Sequence, residues 1–383
     1  MIIIIIIVIS LLVVGYLAYE LFLKPQSQSQ SQPQQQSQSQ PQSQQQPQSQ
    51  SQSQQQSQPQ QQSQPQQQSQ QQSQSQPTIF RTITTSPPTL YLFTSHTFTN
   101  SNVIGATGPS LAQCIAAYSG INWIANSNFF NMKTQGYQLW TVPKTGTYII
   151  NAFGAGTPNG GIGGRVKGNF ILNKGDIITI VCGQMGTPGN GKAPDGRNSG
   201  WYGEGGGGGT YVALGNNQQT ASLLCVAGGG GGLAYNGYWS KRSSNYNGGW
   251  MMSKITDSKL GGTMYSTVEN PWSGSGGAGV SGSGLSPYGH GTESKPFIVN
   301  SNGGILLDYN TGNGGFGGGG FGGSGPGGGG GGYKGGDFGG WAGSHGVFAG
   351  GEGGTSYILN TATSIENSAA DASQHGKVII TIT

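Results

Sequence analysis

Charge is scarce in this chain. Only 7% of its 383 residues are Asp, Glu, Lys or Arg, against about 25% in ordinary soluble domains. The 16 basic side chains are spread thinly, and Lys241–Arg242 is the one adjacent basic pair. Nucleic-acid binding gathers Lys and Arg into a stripe, so no nucleic-acid partner is expected. The histidines, His96, His290, His345 and His375, are far apart, and none stands at metal-ligand spacing from a Cys, Asp or Glu. Asp176 and Glu204 are lone carboxylates, not a general acid–base pair. Cysteine is limited to Cys114, Cys182 and Cys225, and no Asn-x-Ser/Thr sequon occurs, which argues against maturation as a secreted glycoprotein. No catalytic residue, metal or cofactor is expected, and the chain does not read as an enzyme.

Glycine, apolar side chains and low-complexity sequence are plentiful. Residues 1–24 open with an apolar run, Ile2 to Leu23, in which Glu20 is the one charge. As a helix at 1.5 Å per residue it spans about 33 Å, enough for a hydrocarbon core of about 30 Å. No basic residue precedes it, and no small-x-small cleavage site follows, so a retained single-pass anchor is expected rather than a signal peptide. Its flanks carry too few cations to fix an orientation. From Pro25 to Pro77 the chain is Gln, Ser and Pro only. Nothing there builds a core, so a disordered stalk is expected, about 40 Å long as a coil and about 160 Å fully extended.

From Thr78 to Thr383 short β-favouring runs alternate with Gly, Pro and Asn: "TLYLFTSHTF", "YQLWTV", "GTYIINAFGAG", "GNFIL", "DIITIVCG", "TYVAL", "SLLCVAGG", "TSYIL" and "KVIITIT". This is the pattern of an all-β sandwich. In the last run Val378, Ile380 and Ile382 share one face of a strand. Ser110 to Tyr118 is the one helical candidate, with Ser110 as N-cap.

Glycine runs stand between these strands, at Gly205–Gly209, Gly228–Gly232, Gly317–Gly320 and Gly327–Gly332. No G-K-[ST] and no strand-turn-helix context marks them as phosphate loops. Two runs abut strands, which argues against linkers. The remaining reading is structural: glycine segments of polyproline II type packed closely enough to bond backbone to backbone. Gly207, Gly230, Gly318 and Gly329 are expected to be structural glycines of this kind. Phe316, Phe321, Tyr333, Phe338 and Trp341 are expected to wedge the glycine layer against the strands. Recognition is most concentrated in "YNGYWSKRSSNYNGGWMMSK", where Tyr238, Trp239, Arg242 and Trp250 have the composition of a binding hot spot. Aromatics that merely cover a glycine-rich face would look the same.

The blocks "NVIGATGPSLAQCIAAY", "GYQLWTVPKTGTYIINAFGAGT", "GGGGGTYVAL", "LLCVAGGGGGLAYN", "GGFGGGGFGGSGPGGGGGGYKGGD" and "GEGGTSYIL…HGKVIITIT" follow one another in this order. In that order they resemble the extracellular glycine-rich region of the anaplastic lymphoma kinase and leukocyte tyrosine kinase receptors. The resemblance implies a TNF-like β-sandwich with an inserted bundle of polyglycine helices, here mainly residues 228–352, and a head that binds a protein ligand. The chain departs from the family in holding no kinase sequence and no MAM-type module. It also has Ile104 where the family carries a Cys, so Cys114 lacks the partner the resemblance implies. The order of anchor, Gln/Ser/Pro stalk and glycine-rich head also resembles, in composition, some giant-virus membrane proteins. The expected function is a membrane-anchored display protein whose head, on a cell or virion surface, binds a protein partner. The alternative is a structural viral membrane or capsid-associated protein whose head packs or forms a homo-oligomer.

Overall fold

The β-favouring runs become strands because Val, Ile, Tyr and Phe fit a half-buried pleated surface. The computed structural model describes residues 88–159, 161–189, 203–234, 240–241, 259, 261–262, 273–286, 291–307, 312–340, 348–370 and 372–383. The apolar run Ile2–Leu23, the Gln/Ser/Pro segment and Trp341 lie outside these residues. The strands are β1 (Ser95–Thr99), β2 (Phe130–Asn131), β3 (Gln138–Thr141), β4 (Gly146–Phe153), β5 (Gly164–Leu172), β6 (Ile177–Val181), β7 (Thr210–Leu214) and β8 (Ser222–Ala227). They continue with β9 (Ser240–Lys241), β10 (Gly291–Thr292), β11 (Ile305–Leu306), β12 (Phe348–Ala349), β13 (Tyr357–Ile358), β14 (Thr363–Ala369) and β15 (Lys377–Ile382).

The fold is mostly β-sheet, and the described residues hold one helix, α1 (Leu111–Ala117). Ser110 caps it in a reciprocal box: Gln113 N donates to Ser110 Oγ, and Ser110 N donates to Gln113 Oε1. Among the described residues no helix is long and apolar enough to cross a membrane.

A five-stranded sheet in the order β1-β15-β4-β5-β14 faces a six-stranded sheet in the order β13-β8-β7-β6-β3-β2. Pairing within both is antiparallel. Alternation on β15 sends Val378 and Ile380 inward, fully buried, while Ile382 is partly buried against the same core. They meet Tyr148, Ile150 and Val166 of the first sheet and Trp140, Ile178, Ile180 and Val212 of the second.

The six-stranded sheet is buried on its other face too. Val181, Tyr211, Ala213 and Val226 point away from the first core into a second cluster with Tyr137, Phe297, Phe316 and Tyr333. Glycine-rich chain covers this face. Phe316 is its principal anchor, and it lies where two glycines leave room: a Cβ on Gly136 (φ +84°) would lie 2.2 Å from Phe316 Cζ, and one on Gly108, 2.6 Å. Tyr137 ties the layer down further. Its hydroxyl bonds to Phe297 O (2.5 Å) and Ser301 Oγ (2.6 Å), and Ser301 O accepts from the Gly317 and Gly318 amides. Both of those glycines have positive φ.

The glycine layer has a strict three-residue repeat, centred on Gly327–Gly332. Gly328 and Gly331 donate to Glu204 O and Gly207 O; Gly329 and Gly332 donate to Ser275 O and Ala278 O. Gly327 and Gly330 donate to Ala349 O and Glu352 O. The carbonyls answer with the same spacing. Gly328 and Gly331 accept from Gly232 and Gly229, Gly327 and Gly330 accept from Gly339 and Gly336, and Gly329 accepts from Gly320. The central run is thus bonded to six neighbouring segments through main-chain groups, which would otherwise be buried without partners. Such contact leaves no space for side chains. A Cβ on Gly329 would stand 2.0 Å from Gly336 O, and one on Gly207 2.3 Å from Ala155 O. At Gly230 the nearest atom is 2.8 Å away, and at Gly318 an added Cβ would be 2.9 Å from Ala278 Cβ. Segments before residue 228 belong to this lattice, including Ala155 and Gln184 beside Gly205–Gly209.

Candidate partner-binding cleft

Tyr238, Trp239, Arg242 and Trp250 lie outside the described residues. The backbone between them is fixed at one point: Ser240–Lys241 pairs in parallel with Phe348–Ala349 as β9 and β12. The site that the described residues build lies elsewhere, at the rim where the glycine layer meets the six-stranded sheet.

There a cleft of about 480 Å³ opens between the start of β8, the turn before it, and the segments around Val280 and Ile298. Tyr333, from the glycine block, and Tyr357, on β13, stack in it with ring centroids 4.6 Å apart and planes at 17°. Leu223, Val280 and Ile298 supply apolar walls. Lys259 is the one charged residue lining it, and its Nζ lies 5.7 Å from the Tyr333 ring centroid, a cation–π arrangement. The lysine is held by its own main chain, since Ser281 N donates to Lys259 O. Gln218, in the turn, donates from Nε2 to Val299 O and pins the two sides of the opening together. The pocket offers apolar surface and one ammonium above two almost fully buried aromatic rings, which suits binding.

The other chemistry-bearing residues are engaged in structure. Asp176 Oδ2 accepts from Asn173 N in the turn before β6. Glu204 is buried; Asn159 Nδ2 and Leu233 N donate to its carboxylate, and burial raises its pKa. His375 Nδ1 accepts from Met185 N at 3.0 Å, and burial lowers its pKa. Cys114, Cys182 and Cys225 are all buried and unpaired. Ser101 Oγ donates to the Cys114 sulfur, while Ile104 is 71% exposed. Among the described residues no three of His, Cys, Asp and Glu gather closely enough to hold a metal ion.

The cleft escaped sequence reasoning because its walls come from segments far apart in the chain, none of them notable alone. The block "GGGGGGYKGGD" did single out Tyr333, but as a wedge and not as a cleft floor.

Residues 1–83 match a family model described as a domain of unknown function, DUF4834. The leukocyte tyrosine kinase receptor of Mus musculus is 33% identical to the chain over 96 residues, covering 23% of this chain and 11% of the receptor. The match thus spans about a tenth of that receptor's length.

Proposed function

We propose that the chain is a non-enzymatic, membrane-anchored display protein whose glycine-supported head binds a protein partner in the Tyr333–Tyr357 cleft. In this reading Ile2–Leu23 anchors the chain and the Gln/Ser/Pro segment spaces the head from the bilayer. The observation that carries the binding function is the cleft: stacked aromatic rings, apolar walls and one oriented ammonium, set at the edge of a cross-bonded layer. Aromatic-rich, desolvated pockets of this kind are where interface energy concentrates. The local likeness to a protein named as a receptor supports the same reading.

We assign the sandwich to the TNF-like type and the glycine layer to a bundle of polyglycine helices of polyproline II type. The two facing antiparallel sheets support the first assignment. The three-residue alternation of hydrogen-bond direction supports the second, because a polyproline II helix has three residues per turn.

Two experiments test the proposal. Protease protection of a C-terminal tag on the membrane-inserted chain should leave the head cleavable from one side only; cleavage with no membrane fraction at all refutes the anchor. Surface capture with the full chain and with Ser222→Arg, which places a long side chain at the exposed cleft mouth, tests the site. A partner lost by the variant at unchanged melting temperature supports the cleft, and equal capture by both refutes it.

A further inference from the structure

The solvent face of the five-stranded sheet carries an ordered charge pattern that the cleft does not use. Lys377 of β15 lies opposite Phe153 of β4, which lies opposite Arg165 of β5, so the three stand side by side across the sheet. The Lys377 Nζ is 4.8 Å and the Arg165 Cζ 5.7 Å from the Phe153 ring centroid. One ring therefore has a cation on each flank and is only 6% exposed. One step along the strands, Ile379, Asn151, Lys167 and Glu366 form the next row. Arg165 donates from Nε to Asn151 Oδ1 (3.1 Å) and from a guanidinium nitrogen to Glu366 Oε2 (3.2 Å). Lys167 Nζ donates to Glu366 Oε1 at 2.7 Å. Arg165 and Lys167 thus share one carboxylate, Lys377 Nζ donates to Gln374 Oε1 instead, and the strands of this sheet contain no other carboxylate.

We propose that this face docks an acidic segment of a protein partner, as a surface separate from the cleft. The charge imbalance sets the sign of the partner. The geometry sets its kind. The face is an open sheet surface, about 20 Å across five strands at roughly 4.8 Å spacing, a shape that suits an extended acidic segment better than a small anion, which binds in concave sites. Its aromatic ring is covered by the cations, so no open platform exists for stacking a sugar. The cations are held by the ring, by Asn151 and by Glu366, so less side-chain freedom remains to be lost on binding. An interaction of this type works through electrostatic attraction and is weakened by salt.

The test uses the full chain and a fluorescein-labelled oligoglutamate peptide, with a Gln peptide of equal length as control, followed by anisotropy. The oligoglutamate binds and the Gln peptide does not; raising salt from about 0.05 M to about 0.5 M removes most of the binding. Lys377→Gln weakens it about two- to five-fold, the range for an exposed ion pair. Glu366→Gln removes the one competing carboxylate and tightens binding by a similar factor, a gain that a folding defect does not produce. Ser222→Arg, in the cleft, leaves the affinity unchanged, so failure here and failure of the cleft reading are distinguishable. The proposal is overturned if Glu366→Gln and Lys377→Gln both bind as the parent does. It is equally overturned if heparin binds where oligoglutamate does not, or if the chain self-associates through this face and ignores the peptide.

Discussion

Acid should weaken this fold chiefly through His96. Its imidazole points inward from β1, is 8% exposed, and is met edge-on by Phe98, Tyr118 and Trp123 at centroid distances of 4.5, 4.7 and 5.1 Å. Its Nε2 has no hydrogen-bond partner among the described residues. Burial without a partner disfavours the imidazolium, and the pKa is lowered from 6.5 to about 4. In the unfolded chain the imidazole titrates at its ordinary value of about 6.5. Below that pH the unfolded state takes up a proton that the folded state refuses. The contribution is therefore fully present above about pH 6.5 and is lost as pH falls toward 4. Over the whole interval this amounts to about 3 kcal/mol, of which about 2 kcal/mol falls between pH 7 and pH 5. Urea midpoints at several pH values, for the full chain and for His96→Phe, measure it. His375, whose pKa burial also lowers, adds in the same direction, so the variant should keep a shallower slope. Equal slopes in parent and variant refute the reasoning, as does an NMR titration of selectively labelled histidine that places the His96 midpoint near 6.5. The NMR measurement decides the matter even if His96→Phe folds poorly.

Other perturbations have equally definite outcomes. Gly329→Val should destabilise the head by about 3 kcal/mol or more, because an added Cβ falls 2.0 Å from Gly336 O. Gly146→Ala, where the nearest atom is 3.4 Å away, should melt like the parent, and matched losses in both variants would remove the packing explanation. Tyr137→Phe leaves the Phe297 carbonyl without its hydroxyl donor and should cost about 1–3 kcal/mol in denaturant unfolding. The three thiols should resist Ellman's reagent in the native chain, because all are buried and burial pushes Cys225 up to about 12. All three should react once the chain is unfolded in urea; fast reaction in the native state would contradict their burial.

Local signals carried well from sequence to structure. Alternation in "KVIITIT" gives the inward faces of β15, and Ser110 caps α1 as its position before an Ala-rich turn suggests. Other features are tertiary and leave no local trace. β14 reads "TSIENSA" and is exposed along its whole length, so it has no apolar alternation to find; it is held by pairing with β5. The six-stranded sheet is buried on both faces, and its strands therefore lose the alternation that marks a half-exposed strand. The repeat of three in the glycine layer is invisible in a run where every residue is the same. It exists only in which neighbour each amide meets. The placement of Phe153 between Lys377 and Arg165 depends on the register of β4 with β5 and with β15, which is distant in sequence. By contrast, the aromatic and Arg-containing segment that sequence marks most strongly, around Tyr238, Trp239, Arg242 and Trp250, lies outside the described residues, and its assignment rests on composition alone.

The lattice of glycine segments supports both the cleft and the sheet behind it, and amide hydrogen exchange of Gly327–Gly332 tests it most directly. These six amides donate in pairs to carbonyls of three other segments, 204–207, 275–278 and 349–352. Mass-spectrometric exchange on the full chain should find them protected as strongly as the amides of β4 and β7, opening only with global unfolding. Exchange at the rate of an unstructured glycine peptide would contradict the lattice, and with it the rigid head on which partner binding is proposed to depend.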